Sequence, residues 1–135
     1  MTSLIDSVYS WLTACPILAG FRVCIDYLPD DPDCCAIENK GDTLQQSCTD
    51  GSELRRYRFL ISLRLLYGDD PDINGGNAAI LEQLRRWIDG GELLPRPGGG
   101  RRPLKCAVLS EGYVYYADAT TAKYQLEVGM DYFSA

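Results

Sequence analysis

Apolar positions along this chain follow two periods, and each change of period marks a new element. The longest regular stretch is Arg55–Tyr67, where Tyr57, Phe59, Ile61, Leu63, Leu65 and Tyr67 recur at every second residue. Period two is the signature of a β-strand with one face on a core. The opposite face carries Arg56, Arg58, Leu60, Ser62, Arg64 and Leu66. It alternates cation with aliphatic, a pattern suited to meeting another protein. At about 3.3 Å per residue the strand would be roughly 40 Å long, more than most sheets need, so part of it is expected to bend or project.

Two segments switch to helical period. Residues 3–14 place Leu4, Ile5, Val8, Trp11 and Leu12 on one stripe, with Ser3 as N-cap, Asp6 in the first turn and Pro16 as the stop. Trp11 is expected in the core. A second stripe, Ile80, Leu81, Leu84, Trp87 and Ile88, predicts a helix capped by Asn77 and stopped by Gly90 or Gly91. Before it, Gly75-Gly76 reads as a flexible hinge, since it lacks both P-loop and dinucleotide fingerprints.

Shorter alternating runs supply further strands. Phe21–Leu28 and Cys34–Asn39 flank Pro29-Asp30-Asp31-Pro32-Asp33, which predicts a hairpin with an acidic tip. Residues 40–53 are polar and show no element, and a loop of that length tends to be functional or to order on binding. Leu104–Leu109, Gly112–Ala117 and Ala122–Phe133 complete the set, the last with Tyr124, Leu126, Val128, Met130 and Tyr132 on one face. The reading is a single α+β domain over 1–135: a largely antiparallel sheet of about five strands, with two amphipathic helices on one face. The other face keeps Leu60, Leu66 and Leu109 among arginines, and such a face is a natural subunit interface.

Composition narrows the function. With 135 residues, 46% hydrophobic and 24% charged, the chain suits one ordinary globular domain. Its net charge of −6 argues against gripping nucleic acid by the backbone, though not against a protein that DNA merely passes. There is no histidine. His-dependent triads, zincins and His-based acyl transfer are thereby excluded. The six cysteines include no Cys-x-x-Cys pair, so they read as free thiols in a reducing cytoplasm rather than as metal ligands. The N-terminus lacks a signal peptide's basic region and long apolar run, and no run reaches the ~20 apolar residues of a membrane helix.

Asp30, Asp31 and Asp33 supply oxygen ligands but no EF-hand spacing, and read as a solvated acidic loop. As an enzyme the chain would have to use Cys34, Cys35, Cys48, Glu111 or Asp118, and no recognisable base activates any of them. No catalytic residue, cofactor or metal is therefore expected. A small regulatory binding module is a further alternative. Pro95–Pro103 carries Arg96, Arg101 and Arg102 without an acid, and reads as a basic arm reaching a neighbouring subunit.

Several stretches together resemble a known family. They are Trp11-Leu12 with Cys15-Pro16-Ile17-Leu18, Asp26-Tyr27-Leu28, and Asp50-Gly51-Ser52 leading into Arg56-Tyr57-Arg58-Phe59. Ser62-Leu63-Arg64 with Tyr67-Gly68-Asp69, and Ala122-Lys123-Tyr124-Gln125-Leu126 ending in Tyr132-Phe133, extend the likeness over nearly the whole chain. The family is one of small proteins from tailed phages and prophages of Gram-positive bacteria, similar in size and element order to tail terminators, or tail completion proteins. Some members are labelled minor capsid or chloramphenicol resistance proteins, but the acetylation chemistry relies on a histidine that this chain lacks.

The resemblance implies a ring, usually a hexamer, that caps the head-proximal end of the tail tube, stops its growth and joins it to the head connector. Implied partners are further copies of the chain, the tail tube protein and the head–tail connector, with DNA passing through the lumen without specific binding. The implied location is the virion, at the head–tail junction. A head-completion, connector or minor capsid role is the alternative. On charge and placement, Arg56, Arg58, Arg64, Arg96, Arg101 and Arg102 are the candidate subunit or tube interface. Asp30, Asp31 and Asp33 are expected to face a neighbour or the lumen.

Overall fold

A computed structural model describes residues 3–110, 113–118 and 120–135. The first helix, α1 (Leu4–Thr13), begins as its cap predicts: the Asp6 N–H donates to Ser3 Oγ at 3.2 Å. A 3-10 turn, Pro16–Leu18, leads into strand β1 (Arg22–Ile25). Then come β2 (Cys34–Ser47), β3 (Glu53–Leu66), helix α2 (Pro71–Gly90), β4 (Arg101–Val108), β5 (Tyr113–Ala117) and β6 (Thr121–Ser134). Gly112, where the pattern starts the fifth strand, and Ala119 of the turn after it lie outside the described residues.

The sheet order is β1-β2-β3-β6-β4, with β5 following β4 along the same edge of β6. All pairs are antiparallel except β1 with β2. Among the described residues six strands thus fill five columns, and two helices cover one face, which is the predicted α+β architecture. The central pair β3–β6 runs in unbroken register from Glu53 opposite Ser134 to Leu66 opposite Thr121. Paired residues share a face, so Phe59, Ile61 and Leu63 lie beside Val128, Leu126 and Tyr124 under the helices. Trp11 sits in this core, 3% exposed, stacked on Trp87 at 4.8 Å and edge-on to Phe59 at 6.3 Å. Its indole N–H donates to the Leu93 carbonyl at 2.8 Å, so the buried polar atom is satisfied.

Three expectations need correction. First, β1 and β2 are not a hairpin but parallel neighbours, Arg22 pairing with Cys34 and Ile25 with Ile37. Parallel strands ordinarily need a crossover of a dozen residues or more; here residues 26–33 suffice because they double straight back. The reversals occur at Asp26 (φ 57°) and Asp33 (φ 60°), and aspartate tolerates the left-handed region better than most residues. Pro29 between them is buried, and its carbonyl accepts from Arg64 Nε at 2.8 Å.

Second, residues 40–47 are strand, not loop. They escape a pattern reading because most are exposed, so no apolar alternation is imposed. Bulges between Asn39 and Gly41 and between Leu44 and Gln46 break the ladder, a common device on an edge strand. The chain turns at Cys48–Ser52, where the Cys48 N–H donates to the Ser52 carbonyl and Asp50 Oδ1 accepts from the Ser52 N–H.

Third, α2 starts at Pro71 with Asp70 as its cap, a full turn and more before Asn77. Proline suits the first helical position, where no N–H is needed. Gly75-Gly76 is therefore helix rather than hinge. Asn77 lies inside, 6% exposed, its Nδ2 donating to the Leu66 carbonyl at 2.6 Å and the Tyr124 hydroxyl at 3.3 Å. Gly91, at φ 67°, ends the helix as predicted.

Candidate subunit interface

The sheet face away from the helices was predicted to present three spare arginines, and it presents one. Arg56 lies directly across from Asp131 on β6 and grips it with Nε at 2.7 Å and Nη2 at 3.3 Å. That pair holds the guanidinium's affinity for its proton above the ordinary value, chiefly through the hydrogen bond. Being part-exposed, it is worth only about 1 kcal/mol or less. Beside it Leu109 folds over Gly129. A Cβ there would lie 3.0 Å from Leu109 Cδ1 and 3.4 Å from Arg56 Cδ, so a larger residue would push these side chains outward by a few tenths of an ångström. Arg64 is likewise committed, to the Pro29 carbonyl and, at 3.3 Å, to Thr121 Oγ1.

Arg58 differs. It is exposed and has no hydrogen bond or ion pair among the described residues. Its cross-strand neighbours are Gly41 on β2 and Gly129 on β6, so neither directly paired residue brings a side chain against it, although Leu109 and Arg56 lie over Gly129. Of the three, it alone stands as a ready contact.

The basic arm folds into a hydrogen-bonded turn. Gly98, Gly99 and Gly100 all take positive φ, and Arg101 closes the turn by donating to the Gly98 and Pro97 carbonyls. β4 consequently starts at Arg101 rather than Leu104, with Pro103 tolerated because this is an edge strand. Arg96, Arg101 and Arg102 meet around one depression of about 470 Å³ whose floor includes Leu93, Leu94 and Pro103. Arg102 lies over the Phe133 ring at 5.8 Å. Arg96 is exposed and has no ion pair among the described residues.

Asp30, Asp31 and Asp33 are exposed, as expected, and form no ion pair among the described residues. Arg64, which holds their loop, pairs with Lys123, whereas Arg101 pairs with Ser134. The Lys123–Ser134 span of β6 separates the two levels, roughly 36 Å at about 3.3 Å per residue. The acidic loop also belongs to the β1 edge and the basic depression to the β4 edge. The two occupy diagonally opposite corners, far beyond the ~8 Å screening length at physiological salt. Sequence reasoning named as contacts neither Tyr27, which opens the acidic loop and is 63% exposed, nor Leu93, Leu94 and Pro103, which line the depression with the arginines of the same 91–103 stretch. Exposure and the folding of one stretch around a depression leave no signal in a pattern of apolar positions.

Other polar groups tie the strands together. Asp42 Oδ2 accepts from the Tyr132 hydroxyl at 2.7 Å and from Arg55 Nε at 3.1 Å, tying β2, β3 and β6 together. Burial pushes the Tyr132 and Tyr57 hydroxyls up to about 12. Burial also raises the thiols of Cys34 and Cys35, the latter to about 12, the opposite of what activates a nucleophile. Cys48 is half-buried at the β2–β3 turn, Asp118 accepts from the Thr120 and Thr121 N–H groups, and Glu111 lies outside the described residues. Among the described residues no group of three or more cysteine, aspartate or glutamate side chains is arranged to hold a metal, and no helix is long and apolar enough to cross a membrane. Comparison with models of known protein families and with curated proteins finds no match to this chain.

Proposed function

We propose that this chain is a structural subunit of a phage tail, closing head-to-tail into a ring, usually of six copies, that caps the head-proximal end of the tail tube. One observation carries the reading: an acidic loop and a basic depression stand at diagonally opposite corners of one subunit, with no ion pair among the described residues at Asp30, Asp31, Asp33 or Arg96. Such a subunit can set its acidic corner against the basic corner of another copy, and a heterologous contact of this kind closes into a ring when the rotation closes. The sequence resemblance to tail terminators supplies the setting. Arg58, between two glycines, is the contact offered to the tube or a neighbouring subunit. The remaining excess of acid, in a chain of net charge −6, keeps DNA from adhering as it passes.

The test is to polymerise purified tail tube protein with and without this protein and measure tube length by electron microscopy. Shorter tubes bearing a ring at one end are expected. Tubes of unchanged length with bare ends refute the terminator role, and binding to head connectors instead would move the protein to head completion.

A further inference from the structure

The two corners match in more than charge. The depression combines arginines with an apolar floor, Leu93, Leu94 and Pro103. The acidic loop combines aspartates with one large exposed aromatic, Tyr27, which is 63% exposed and packs on nothing that hides it. Resting on the ring reading above, we infer that Tyr27 of each copy is the anchor of the subunit contact, seated on the Leu93–Leu94–Pro103 floor of the next copy. Asp30 and Asp31 then meet Arg96 and Arg102. Arg101 is occupied by the carbonyls of its own turn and shapes the seat rather than gripping the ligand.

Physical reasons favour this occupant. Tyrosine brings a large rigid surface at low entropic cost, and buried aromatic anchors dominate most interfaces. Its hydroxyl can stay at the rim. Arg102 already lies over the Phe133 ring at 5.8 Å, which narrows the positions its guanidinium samples. The loop itself is fastened at both ends, by the Asp26 N–H to the Ile37 carbonyl at 2.9 Å and by the Asp33 N–H to the Arg64 carbonyl at 2.8 Å. A preorganised loop entering a preorganised seat loses little entropy.

Sedimentation velocity over a concentration series reads the contact directly. Tyr27→Ala is expected to weaken self-association tenfold or more. Arg96→Glu/Arg102→Glu and Asp30→Lys/Asp31→Lys should each abolish it, and one chain carrying all four substitutions should assemble again, because every interface then pairs the swapped charges. That rescue is something a folding defect does not produce. Assembly of Tyr27→Ala at wild-type strength, or a four-fold variant that stays monomeric while folded by circular dichroism, overturns the inference. Wild-type rings that respond as stated but fail to cap tubes leave this contact standing and defeat the tail reading. Rings that cap tubes yet ignore the substitutions do the reverse, and a wild type monomeric both alone and with tube protein defeats both.

Discussion

Arg58 and Arg64 lie on the same face of one strand, six residues apart, and should respond to truncation in opposite ways. Arg64 is half-buried and donates from Nε to the carbonyl of buried Pro29 at 2.8 Å. A hydrogen bond from a charged donor is worth about 1.5–3 kcal/mol, and losing it also strands a buried acceptor. The second contact, to Thr121 Oγ1, adds little: it is 3.3 Å long, and that hydroxyl also reaches Asp118. Arg64→Ala should therefore cost about 2 kcal/mol. Arg58→Ala removes an exposed side chain between two glycines and should stay within about 0.5 kcal/mol of wild type.

Urea unfolding followed by circular dichroism separates the two. With a slope of about 2 kcal/mol per molar, the Arg64 midpoint falls by about 1 M while the Arg58 midpoint stays put, and the slopes agree. In tube-capping assays the order inverts at fixed folded fraction: Arg58→Glu should lower capping without touching stability. Equal midpoints for the two alanine variants would show that Arg64 does not hold the 26–33 loop, and the preorganisation argued for that loop would fall with it.

Gly75→Ala and Gly76→Ala should each stabilise by up to about 1 kcal/mol, because both sit in α2 and an added Cβ meets nothing within 4 Å. A rise in Tm of roughly 3–5 °C per substitution is expected; a fall would mean that the helix begins later, near Asn77, and that the pair works as a hinge. Alkali gives another reading. Cys35 and Cys106 are raised from 9.0 to about 12, and Tyr57 and Tyr132 from 10.0 to about 12, in each case mainly by burial. Groups raised this way favour folding below their unfolded values and lose that contribution as pH climbs toward the folded ones. Urea midpoints should thus hold steady up to pH 9 and drop between pH 9 and 12. A flat profile would show that these groups ionise as readily folded as unfolded.

Much of this protein can be read from residue order alone. The period-two runs of β3 and β6 and the stripes of α1 and α2 found the core, because burial on one face forces apolar residues into register with the local geometry. Ser3, Gly91 and the core role of Trp11 follow from local chemistry in the same way. Where burial is absent the pattern fails, which is why residues 40–47 look like loop although β3 pairs with them. The start of α2 is set by Asp70 as cap and Pro71 at the first helical position, ahead of the apolar stripe that the pattern reads.

Tertiary structure alone decided the rest. Parallel pairing of β1 with β2 depends on a doubled-back loop pinned by Arg64, a contact across 35 positions of sequence. Whether an arginine is spare is likewise invisible in one dimension. Arg56 and Arg64 are consumed by Asp131 and Pro29, while Arg58 is left between glycines contributed by two other strands. Charge sign is a property of each residue and can be read from the sequence. That the acidic and basic clusters stand at opposite corners of one sheet is a property of strand order and register, which long-range pairing sets.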